Sequence, residues 1–126
     1  MIEAYLSTRY EPHGRGPDAF DCWGLCRDVR ARVFGAGWLP SFGHVVPADK
    51  LAVTRAAGRA KAALTPCQRH PGAVALAWRG RVCIHAGIVV EQDGRQWILE
   101  TDVATGPVLT PCRRFERRFT RVEYLH

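Results

Sequence analysis

Cysteine 22 follows an aspartate, precedes Trp23-Gly24-Leu25, and leads a run in which Leu25, Cys26, Val29 and Val33 recur at helical spacing. The pattern predicts a helix capped by Asp21 and ended by Gly35 and Gly37. A thiol in the first turn of a helix meets unpaired backbone N–H groups and the positive end of the helix dipole. Both favour thiolate over thiol, which makes Cys22 a candidate nucleophile. Such a nucleophile needs a base that holds its proton and later returns it to the leaving amine. The chain offers His13, His44, His70, His85 and His126. Only His85 lies inside a strand pattern, Ile84-His85-Ala86-Gly87-Ile88-Val89-Val90, where a rigid sheet can aim its ring at a helix end.

The elements that must position this pair are legible around it. The Gly/Pro-rich loop from Pro12 to Pro17 delays regular structure until Asp21. In the helix that follows, Arg27, Asp28, Arg30 and Arg32 take the positions between the apolar ones. Residues 38–47 read as loop, and Asp49 to Leu64, rich in Ala, Arg and Lys, as a second helix stopped by Thr65-Pro66. Beyond it come short β-branched or aromatic segments, Ala73–Trp78, Val82–Val90 and Gln96–Thr101, separated by the turn dipeptides Arg79-Gly80 and Asp93-Gly94. Val108–Leu109 and Thr120–Leu125 add edge strands. Helices first and an antiparallel meander after is the order of an α+β domain, and 126 residues fit one such domain, 1–126.

Composition excludes several classes. No stretch is long and apolar enough to span a membrane, and the N-terminus lacks the basic and apolar regions of a signal peptide, so the protein is expected to be made in the cytoplasm. Cys22, Cys26, Cys67, Cys83 and Cys112 are odd in number and lack paired metal-ligand spacing, so no metal or other cofactor is expected. They read as reduced thiols, Cys26 packing one turn behind Cys22 and Cys83 sharing a strand face with His85 by period two. The formal net charge of +6 favours acidic partners, but no nucleic-acid signature is present. Arg113, Arg114, Arg117 and Arg118 read as a solvated face, and Trp23, Trp38, Trp78 and Trp97 as core or groove-wall residues.

The strings Asp21-Cys22-Trp23-Gly24-Leu25 and His85-Ala86-Gly87-Ile88-Val89 resemble the two signature blocks of the NlpC/P60 cell-wall peptidases. Tyr10 ahead of a Gly-rich loop and Pro71-Gly72 before a strand extend the resemblance, which is weak between residues 38 and 66. Trp after the cysteine, one short domain and no export signal look like the phage-tail branch of the family.

The resemblance implies a papain-like fold, N-terminal helices packed on an antiparallel sheet, in which Cys22 attacks an amide carbonyl and His85 acts as base and then acid. Tyr10, Asp21 and Trp23 would border the substrate and oxyanion region, with backbone N–H groups at the helix start holding the oxyanion. The target implied is a peptidoglycan stem peptide, cut between D-glutamate and a diamino acid. Other phage tail proteins are the implied partners, and the virion tail at the bacterial envelope the place of action. Where the family carries a third polar residue, most often His, this chain has Glu100, with Asp102 as the substitute. Family members also have Asp where Ala73 stands. The departure at position 100 supports an alternative, a structural tail-tip or tail-assembly protein with a degenerate site.

Overall fold

In the computed structural model, which describes all 126 residues, the chain is an α+β fold. It runs α1 (Ile2–Leu6), β1 (Arg9–Tyr10), β2 (Ala19–Phe20), α2 (Cys22–Arg32), α3 (Lys50–Ala63), β3 (Val74–Arg79), β4 (Val82–Gln92), β5 (Arg95–Glu100), β6 (Val108–Pro111), α4 (Cys112–Arg117) and β7 (Arg121–Leu125). Five strands form one antiparallel sheet in the order β6-β5-β4-β3-β7, so the two late segments are its edges, as the sequence predicts. The β4–β5 hairpin turns on Asp93 and Gly94, whose φ values of 55° and 73° are the left-handed pair a two-residue turn requires.

Alternation along β3 splits the interior into two layers. Val74, Leu76 and Trp78 join Leu25, Cys26, Val29 and Ala57 from α2 and α3, whereas Ala73, Ala75 and Ala77 face Phe115 of α4. The sheet is thus covered by α2 and α3 on one face and by α4 on the other. No helix is long and apolar enough to cross a membrane.

Three departures from the sequence reading have physical causes. Regular structure starts at Ile2, not Asp21: Tyr5 Oη donates to buried Asp28 Oδ2 at 2.7 Å and anchors α1 to α2, while β1 and β2 pair in parallel around the loop. That bond also places Asp28 inside, and Arg30 is buried as well, so α2 is covered on more of its circumference than its apolar stripe shows. Trp38 is neither core nor groove wall. It is 52% exposed and carries the guanidinium groups of Arg27 and Arg32 on its ring, at 4.7 and 5.2 Å.

Alternation fails once within the sheet. Ala77 pairs with His85 and Trp78 with Cys83, so Ile84 is an extra residue and β4 bulges there. Helix α3 satisfies the groups the bulge frees: Cys83 N–H donates to Thr54 Oγ1 at 3.0 Å, and Lys50 Nζ donates to the Ile84 carbonyl at 3.1 Å. Cys83 and His85 therefore do not share a face as period two predicts. Cys83 packs with Trp78 and Ala86 in the larger core layer, while the His85 ring lies against Phe115 and Phe119.

Candidate active site

Asp21 caps α2 by accepting from Gly24 N–H at 2.9 Å, which fixes the first turn and so the direction of the Cys22 side chain. The same carboxylate accepts from Arg15 Nη1 at 2.7 Å and from His13 N–H at 3.1 Å, tying the preceding loop to the helix end. Gly24 is required by that loop: a methyl group there would fall on the Gly14 carbonyl oxygen. The close approach at Gly24 is made by the chain itself. Neither Cys22 nor Trp23 N–H has a backbone or side-chain acceptor, so both are free to bind a developing oxyanion beside the thiol.

The sheet brings His85 to this helix end. Cys22 and His85 border one cavity, and the sulfur lies close enough to the ring to favour its charged form. Burial opposes charge on the ring, but hydrogen bonding to Cys22 and to Glu100, together with their negative charges, overrides it and lifts the His85 pKa to about 9. Nε2 lies 2.8 Å from Glu100 Oε1, which leaves Nδ1 as the nitrogen for the sulfur.

Glu100 ends β5, on the strand beside β4, which is why it reaches the ring. It accepts from Thr110 Oγ1 at 2.5 Å and from Arg118 Nη1 and Nη2 at 2.7 and 3.0 Å. Burial favours its neutral form, but bonds from His85, Arg118 and Thr110 outweigh that and bring its pKa down to about 2. The carboxylate is therefore charged and held by four hydrogen bonds from three residues. Asp102 does not reach the imidazole. Beyond the strand end, its carboxylate accepts from Val103 N–H at 2.7 Å and its carbonyl from Gly106 N–H at 2.8 Å, closing a turn.

Tyr10 lies across from Phe20 in the small parallel pair, within electrostatic reach of the thiol. Burial, followed by the charges of Cys22, Asp21 and Asp102, pushes its hydroxyl pKa up to about 12, so at neutral pH it is a donor. Trp23 borders the cavity, packs at a tilt against Phe42 with ring centroids 5.6 Å apart, and donates Nε1–H to the Pro40 carbonyl at 2.8 Å. That bond, with Arg27 Nε to Leu39 O at 2.8 Å and Arg15 Nε to Ser41 O at 2.9 Å, holds the 38–47 loop against α2.

The structure thus brings Cys22, His85, Glu100, Tyr10, Asp21 and Trp23 to one region. Asp21 acts there through capping and charge pairing. Cys83 borders the cavity, but burial pushes its thiol up to about 11, and burial likewise raises the thiol of the fully buried Cys26 well above its ordinary value. Sequence reading missed Arg118: all four arginines of the stretch are exposed, but Arg118 alone of them also pairs with buried Glu100. No groups of His, Cys, Asp and Glu with the arrangement of a metal site occur. Comparison with family models, curated proteins and solved structures finds no match.

Proposed function

We propose that the chain is a cysteine hydrolase of papain-like design that cuts an amide bond of peptidoglycan stem peptide, acting in a phage or prophage tail. The observation that carries the hydrolase reading is the grouping of a thiol at a helix start, an imidazole bordering the same cavity, and a buried carboxylate 2.8 Å from that imidazole. The wall-peptide target and the tail setting rest on the resemblance of the Cys22 and His85 blocks.

In this reading the Cys22 thiolate attacks the carbonyl carbon, and the N–H groups of Cys22 and Trp23 hold the oxyanion. The His85 imidazolium then gives its proton to the leaving amine, the C–N bond breaks and an acyl-thioester remains. Water attacks that thioester as His85 takes its proton, releasing the acid and restoring the thiolate. Glu100 keeps the ring oriented and supports its positive charge, the part a carboxylate plays beside histidine in serine proteases. The degenerate-site alternative rests on the missing histidine at position 100; the 2.8 Å contact of Glu100 with His85 favours the hydrolase reading over it.

Release of muropeptides from purified cell wall tests the reading. The wild-type chain is expected to release them, and Cys22→Ala and His85→Ala to lose the activity with unchanged circular dichroism. Undiminished release by either folded variant would overturn the proposal.

A further inference from the structure

A second hollow, about 280 Å³ and open to solvent, lies between α3 and the chain that leads into it. Ala52, Arg55 and Arg59 line it at helical spacing, so they share one side of α3, while Val53, Ala56 and Ala57 on the adjoining side line the cavity that Cys22 borders. Val45 lines both spaces, so the two adjoin across a single residue.

The lining of this hollow is basic. Arg55 and Arg59 are exposed and form no ion pair within the chain. The one carboxylate, Asp49, caps α3 by accepting from Ala52 N–H at 3.1 Å, and two guanidinium groups against it leave a net positive charge. Arg59 is also held in place: its guanidinium lies 5.4 Å from the centroid of the Phe42 ring, and that same ring packs 5.6 Å from Trp23, the neighbour of Cys22. Phe42 keeps this bridging position with a φ of 49°, a left-handed backbone that a bulky residue holds only where its surroundings enforce it.

We infer that this hollow is the subsite for a free carboxylate of the substrate peptide. The inference rests on the hydrolase reading above and deepens it. When one carboxyl group of a glutamate enters the scissile amide, the other is left free, and the diamino acid that follows carries a carboxyl of its own. Guanidinium groups match a carboxylate in charge and in planar geometry, whereas a carboxamide of the same shape brings no charge and turns N–H donors toward donors. Space is not limiting: one water needs about 10–15 Å³, so a carboxylate and its side chain enter with room for several.

The experiment is hydrolysis, by the full-length protein, of synthetic peptides containing D-glutamate joined to a diamino acid. One has every carboxyl free, one has the glutamate carboxyl amidated, and one has the diamino-acid carboxyl amidated. Amidation of one of the two is expected to lower kcat/KM roughly tenfold, the size of a hydrogen bond between charged groups, and the peptide that suffers identifies the carboxylate bound. The difference should shrink as salt is raised, because the guanidinium groups are exposed. Arg55→Gln and Arg59→Gln are each expected to reduce the acid-to-amide ratio, and the double variant to bring it close to one.

Equal rates on the three peptides would overturn the subsite and leave the hydrolase reading standing. So would a preference for the acid that the double variant retains in full. Hydrolysis of none of them would overturn both.

Discussion

Nε2 of His85 lies 2.8 Å from Oε1 of Glu100, and both groups are almost completely withdrawn from solvent. A buried imidazole usually loses its proton; this one is held protonated because the carboxylate on one side and Cys22 on the other both favour the cation.

Removing the sulfur should be visible at the ring. In Cys22→Ala the His85 midpoint, followed by ¹⁵N–¹H NMR, is expected to fall below its wild-type position near 9 while the Glu100 contact remains. An unchanged midpoint would mean that the sulfur and ring do not communicate.

Glu100→Gln keeps the shape of the side chain but removes its charge. The expected effect is a loss of kcat of roughly 10²- to 10⁴-fold with a smaller change in KM, by analogy with removal of the carboxylate in a serine-protease triad. Stability should respond to pH in two windows. His85 is raised above its ordinary 6.5, so its contribution is complete below that value and lost as pH rises through about 9. Glu100 is depressed below 4.5, so its contribution is present above that value and lost as pH falls toward about 2. Urea midpoints measured against pH should show wild type and Glu100→Gln converging at the acid end.

Arg118 hydrogen-bonds neither thiol nor imidazole, so its effect runs through Glu100. Arg118→Ala is expected to lower kcat about tenfold with KM unchanged, the size of one lost charge-assisted hydrogen bond. Arg118→Lys should restore only part of the rate, because an ammonium cannot reproduce the two-pronged contact at 2.7 and 3.0 Å. A matching loss of melting temperature and activity, with no kcat-specific effect, would reduce Arg118 to a structural brace.

Asp21→Ala removes the cap of α2 and the partner of Arg15 together. The expected cost is about 2 kcal/mol by chemical denaturation, the upper part of the range for lost caps. Asp21→Asn should recover most of it, since an amide oxygen can still accept from Gly24 N–H. If Asn is as damaging as Ala, charge pairing with Arg15 dominates over capping.

Much of this site is legible in the sequence where local rules govern. Helical spacing behind Cys22, the Asp21 cap and the alternating segments after residue 73 reflect contacts between near neighbours, and the observed boundaries of α2, α3 and β3–β5 lie within a few residues of the reading. The misses come from contacts made at a distance. Helices α1 and α4 span only 5 and 6 residues, too short for periodicity to register, and are held by Tyr5 on Asp28 and by the seating of Phe115 under the sheet. Arg118 is set apart from its three arginine neighbours only by a carboxylate 18 positions earlier. The bulge at Ile84 leaves no local mark, because its freed amide and carbonyl are satisfied by Thr54 and Lys50 from another element.

That bulge has a mechanical consequence. The helix that grips the kinked strand through Thr54 and Lys50 also presents Val53, Ala56 and Ala57 to the hollow beside the sulfur. One helix therefore serves both as brace for the irregular strand and as a wall of the cavity that Cys22 borders.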